Sequence, residues 1–134
     1  MNSNITRHVV ITTEAVKWIH KLEATHGALL FFQSGGCCDG SSPMCYMRNE
    51  FKIGDSDVFL GAIERQPFYI SGPQFEYWRH TGLLIDVVEG RGSCFSLEAP
   101  EGIRFLTRSV VFTDEQMREL EALGEPKRGL QDSI

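Results

Sequence analysis

Three of the chain's four cysteines, Cys37, Cys38 and Cys45, lie in one stretch, Gln33-Ser-Gly-Gly-Cys-Cys-Asp-Gly-Ser-Ser-Pro-Met-Cys-Tyr46. Thiolates are soft ligands that select zinc, copper(I) and iron–sulphur clusters, so a metal or cluster site is the first chemistry this pattern suggests. A zinc knuckle would show C-x-x-C, where the two sulphurs converge. Adjacent cysteines point apart, so one of Cys37 and Cys38 is expected to face the site. Asp39 follows the pair directly. More distant donors are Cys94, Glu76 and His80. Glu76 and His80 stand four apart in a stretch with helical character, which places both on one face.

A second chemistry is a reactive thiol. Backbone N–H groups in a glycine-rich loop lower a thiol's pKa, which would make Cys37 or Cys38 a nucleophile or redox centre. Such a nucleophile needs a base, and His80 is the histidine outside the N-terminal region. The plain alternative is that the cysteines are small core residues.

The elements that must position these groups follow from punctuation and periodicity. Gly35, Gly36, Gly40 and Pro43 exclude a regular helix or strand across the cysteine stretch. The apolar run Ala28–Gln33 predicts a strand delivering it, and residues 46–51 predict a strand leaving it. Residues 5–11 suit a short strand. Thr12 or Thr13 then caps a helix to about Thr25, with Ala15, Ile19 and Leu22 on its apolar face and Gly27 as its stop. Gly54-Asp-Ser-Asp57 reads as a turn, because the further ligands of a calcium loop are missing. Strands are predicted over 58–63, 68–70, 83–89, 94–97 and 103–112, and two helical turns over 74–80. Asp86 stands alone among apolar neighbours in the strand over 83–89, on the wet face if that strand is an edge, and such a carboxylate needs a partner. Thr113-Asp-Glu-Gln116 is a capping box that opens a last helix, which ends at Gly124 and Pro126. Residues 125–134 are expected to fray.

At 134 residues the chain is expected to be one domain over 1–124, large enough to fold without a disulfide or metal. The strand pattern with a helix near each end predicts a β-rich α+β fold. The net charge of −5 and pI near 5.3, with no basic cluster, argue against nucleic acid and anionic membrane as partners. The polar N-terminus and the lack of a long apolar run predict a cytoplasmic protein, where thiols stay reduced. No P-loop, no G-x-G-x-x-G after a strand and no G-x-S-x-G elbow occurs.

Two resemblances add to this. Gly35-Gly-Cys-Cys-Asp-Gly-Ser-Ser-Pro-Met-Cys-Tyr46, Gln74-Phe-Glu-Tyr-Trp-Arg-His-Thr81, Ile85-Asp-Val-Val-Glu-Gly-Arg-Gly92 and Phe95-Ser-Leu-Glu98 resemble the bacterial domain-of-unknown-function family 779. Its members are associated by name with acetaldehyde dehydrogenase. This chain is too short for a dehydrogenase with separate cofactor and catalytic domains, so the resemblance implies an accessory role beside an aldehyde or alcohol dehydrogenase. The order of features is also similar to the HesB-like A-type iron–sulphur carriers. Thr12–Leu22 corresponds to their capped helix, Gly35-Gly-Cys37 to their first cysteine loop and Ile85-Asp-Val87 to a later strand. That likeness implies a HesB-like sandwich or pseudo-barrel, Cys37 as a ligand, and zinc, iron or an iron–sulphur cluster as cofactor. Their terminal Cys-Gly-Cys has no counterpart after Cys94.

The combined expectation is a metal-binding accessory protein with Cys37, Cys38 and Cys45 as ligands, and Asp39, Glu76 and His80 behind them. A homo-oligomer is compatible with it. The alternatives are a small thiol enzyme acting on an aldehyde-like electrophile and a metal-free interaction module.

Overall fold

Among the described residues, apolar side chains from the strands of two sheets pack on a common core. In the computed structural model, which describes residues 8–33, 42–79, 81–90, 96–124 and 126–129, the elements follow in the order β1 (Val9–Ile11), α1 (Thr13–His26), β2 (Leu29–Gln33), β3 (Met44–Met47), β4 (Val58–Ile63), β5 (Gln66–Ile70), α2 (Gly72–Trp78), β6 (Thr81–Glu89), β7 (Ile103–Val111) and α3 (Asp114–Leu123). The fold is α+β and strand-rich, with a helix near each end. One sheet has the order β1-β6-β7 and the other β3-β2-β5-β4. Both are mixed: β1 runs parallel to β6 and β2 parallel to β5, while the remaining pairs are antiparallel.

The core lies between the inner faces. Phe31, Phe68, Ile70, Leu83, Ile85 and Phe105 are buried there, and α1 closes one side with Ala15, Ile19 and Leu22. Phe31 meets Phe105 edge-on across the sheets at 5.2 Å between centroids. A smaller cluster covers the outer face of the four-stranded sheet, where Phe51 stacks on Tyr46 and lies 5.0 Å from Phe32.

Local chemistry explains the boundaries. Thr12 caps α1 and accepts from the Ala15 amide. Thr113 and Gln116 form the reciprocal capping box of α3. The turn at 54–57 is closed by Asp57, which accepts from the Gly54 amide at 2.8 Å.

Several boundaries differ from the sequence expectation. The strand after the cysteine stretch ends at Met47, and Arg48–Glu50 form a 3-10 turn. Arg48 causes this, because its guanidinium donates to Leu29 O, Arg65 O and Gln66 Oε1 and draws the backbone round the β2–β5 end. β5 starts at Gln66 and includes Pro67, which cannot donate to a ladder. The β2–β5 pairing stops at Phe31–Phe68, and the Leu29 amide bonds instead to Gln66 Oε1 at 2.8 Å. α2 begins at Gly72 rather than Gln74, because Ser71 is its cap and Pro73 suits a first turn. β6 is not an edge: it lies between β1 and β7, and Asp86 finds its partner in Arg108 on the neighbouring strand at 3.1 Å. Ser96 and Leu97 lie in a turn rather than a strand, leading into a 3-10 turn over Ala99–Glu101 opened by Pro100. Lys127–Gly129 are bonded to β4 and the residues beside it. The Phe59 amide donates to Lys127 O and the Gly129 amide to Asp57 O, both at 2.8 Å, and Tyr69 donates to Gly129 O.

Gly82 on β6 has a steric reason. A Cβ there would lie 2.7 Å from the Phe112 ring, closer than real Cβ contacts.

Candidate functional site

Cys45 stands at the centre of the geometry around the cysteine stretch. It lies on the edge strand β3, opposite Phe31, with its side chain wholly buried. Its amide donates to Ser96 Oγ at 2.8 Å, and its carbonyl accepts from the Leu97 amide at 2.9 Å. Ser96 in turn donates to the carboxylate of Glu98 in a short hydrogen bond. Glu98 is also buried, and the amides of Glu98 and Phe105 donate to its carboxylate.

The electrostatics follow from burial. Loss of solvent pushes the Glu98 carboxyl above the usual carboxylate range, and the hydrogen bonds from Ser96 and the two amides oppose this only in part. Burial likewise pushes the Cys45 thiol far up, and the neighbouring Glu98 charge adds to the effect. Cys45 is therefore a neutral thiol at any physiological pH, the opposite of an activated nucleophile.

The four chain ends that flank residues 34–41 and 91–95 are all tied down in this neighbourhood. Gln33 accepts from Thr107 through its side chain and from Ser71 N through its carbonyl, so it is bound to β7 and to the start of α2. Ser42 accepts from Arg104 at 2.7 Å. The Gly90 amide donates to Gly102 O at 3.0 Å, two residues before Arg104. Ser96 is held by Cys45 and Glu98. Arg104, at the start of β7, pairs in register with Val88.

Cys37, Cys38, Asp39, His80 and Cys94 lie outside the described residues. Glu76 is mostly exposed on α2 and forms an ion pair with Arg79 at 3.2 Å. Among the described residues, no three His, Cys, Asp or Glu side chains gather about a common point. Cys45 and Glu76 are thus not joined by further ligands within the described part.

Ser96, Glu98 and Arg104 were not singled out as site residues by type and spacing. A lone serine and a lone glutamate before Ala-Pro carry no periodic signal. Their partner, the Cys45 amide, is 51 residues from Ser96 in sequence. The one available hint was the run Phe95-Ser-Leu-Glu98 as a motif.

Fold and site together define a strand-rich α+β protein in which the ends of two cysteine-bearing stretches are bonded to β3, β7 and the turns beside them. Residues 18–111 match the family described as Domain of unknown function (DUF779), and the chain belongs to that family. No curated protein and no solved structure matches the chain. Among the described residues, no helix is long and apolar enough to cross a membrane.

Proposed function

We propose that this is a cytoplasmic metal-binding accessory protein, with Cys37 and Cys38 as its primary ligands. The observation that carries this reading is the tethering of all four chain ends, Gln33, Ser42, Gly90 and Ser96, to β3, β7 and the turns beside them. Cys38 is four residues from Ser42 and Cys94 two from Ser96. At about 3.8 Å per residue these thiols have Cα atoms within roughly 15 Å and 8 Å of those anchors. Chain length alone therefore allows thiols from both stretches to meet at one ion.

The donor set suits a soft metal: thiolates for zinc, iron or an iron–sulphur cluster. Cys45 joins such a set only by giving up a proton that its buried surroundings retain, so Cys94 is the readier third thiol. Asp39 and His80 are the remaining candidate donors. Glu76 is engaged by Arg79 and ranks behind them. The client that the family resemblance suggests is an aldehyde or alcohol dehydrogenase.

The test is metal and sulphide content with a visible spectrum, on protein purified without oxygen, wild type beside Cys37→Ser, Cys38→Ser and Cys94→Ser. Stoichiometric metal, lost in Cys37→Ser or Cys38→Ser while the fold persists by circular dichroism, is the expected result. The spectrum separates zinc from iron–sulphur. Metal-free wild type, loading no zinc or ferrous iron when reconstituted, would overturn the proposal.

A further inference from the structure

α3 stands off from α2. Between the two helices is a cleft of about 350 Å3, at the small end of the range for small-molecule sites. Its floor is apolar: Phe75 from α2, Met117 and Leu120 from α3. His8 closes the inner end, its ring edge-on to Phe75 at 5.6 Å.

The charges at the mouth are unequal. Arg79 lies over the Phe75 ring at 4.8 Å and forms an ion pair with Glu76 at 3.2 Å. Glu121, on the α3 wall, is exposed, and among the described residues no basic side chain pairs with it. Among the described residues, the lining therefore presents one carboxylate without a basic partner beside an apolar floor. The complementary ligand has an apolar body and a single positive charge. An anion would meet Glu121 with Arg79 already engaged.

We propose that the α2–α3 cleft binds a small organic ammonium ion, its apolar body against Phe75, Met117 and Leu120 and its ammonium group at Glu121. The residues lining the cleft are not among the candidate metal ligands, so the metal assay and the probe titration report on the two readings separately.

The test uses the full chain with methyl-labelled methionine and three probes of equal length: hexylammonium, 1-hexanol and hexanoate. The expected result is a saturable shift of the Met117 methyl signal, with Met44 and Met47 on the distant β3 unmoved. Hexylammonium should bind about two- to five-fold more tightly than hexanol, the worth of one exposed ion pair, and hexanoate most weakly. Glu121→Gln, an exposed substitution that leaves the floor intact, should erase the advantage of the ammonium probe but keep the Met117 shift. The proposal is overturned if no probe gives a saturable Met117 shift. It is equally overturned if hexanoate binds best, or if the preference for hexylammonium persists in Glu121→Gln.

Discussion

Asp86 shows how one carboxylate can join three elements. Its Oδ1 accepts from Thr12, the cap of α1, at 3.1 Å and from the Val87 amide at 2.8 Å, and its Oδ2 accepts from Arg108 on β7. Partial burial alone would raise its pKa. The Val87 amide, Arg108 and Thr12 outweigh that and hold the carboxyl below the usual range. With the folded pKa below the unfolded one, the stabilisation is present above the unfolded value, about 3.9. It is lost as pH falls through the folded value. Asp86→Asn should therefore cost roughly 1–2 kcal/mol at neutral pH, a figure already discounted for a partly exposed ion pair. Urea melts of both proteins should show the difference shrinking steadily as the pH is taken below about 4. A difference that stays constant down to about pH 2 would mean that packing rather than charge is responsible.

The β4–β5 hairpin stores strain at its tip. Glu64 and Arg65 take φ values of +48° and +68°, in the left-handed region that side chains other than glycine's enter at a cost. A two-residue hairpin loop requires this, because its twist must match that of the strands. The neighbours hold the tip in place. Arg48 bonds to Arg65 O, Gln66 reaches back to Glu64 O, and His20 meets Glu64 at 2.7 Å. The Arg65 side chain is exposed and its carbonyl is the group that Arg48 binds, so Arg65→Gly relieves strain while keeping that contact. It should stabilise the protein by about 0.5–1 kcal/mol, read as a higher denaturant midpoint at unchanged slope. A lower midpoint would show that the unfolded chain's gain in freedom outweighs the strain.

In the whole molecule, both edges of the four-stranded sheet are covered by chain that is not itself a strand of it. Ser96 and Leu97 bond along β3, and Lys127–Gly129 bond along β4. Arg128 pairs with Val58 and donates to Ser56 O. An uncovered edge strand is a template for pairing with another chain. A chain ending at residue 125 should therefore melt earlier and self-associate, while the full chain under the same conditions does not. Light scattering across a concentration series checks this. A truncated chain with unchanged melting temperature and mass would show that the tail contributes nothing to the edge.

The sequence alone determined what depends on neighbours a few residues apart. Thr12 and Thr113 marked helix starts, Ala15, Ile19 and Leu22 marked a buried face, and short apolar runs marked most of the strands. Those signals act over one turn of helix or one pleat, so they can be read locally. The tertiary structure decided what depends on distant partners. Asp86 reads as a wet-face residue until β1 and β7 are placed on either side of β6. The strand predicted over 68–70 starts two residues earlier, at Gln66, whose side chain accepts from the distant Leu29 amide. Ser96 and Glu98 gain meaning only because the Cys45 amide, 51 positions from Ser96, needs an acceptor at an otherwise open strand edge. Buried polar groups must be satisfied by whatever the fold brings near, and sequence spacing does not record which groups those are.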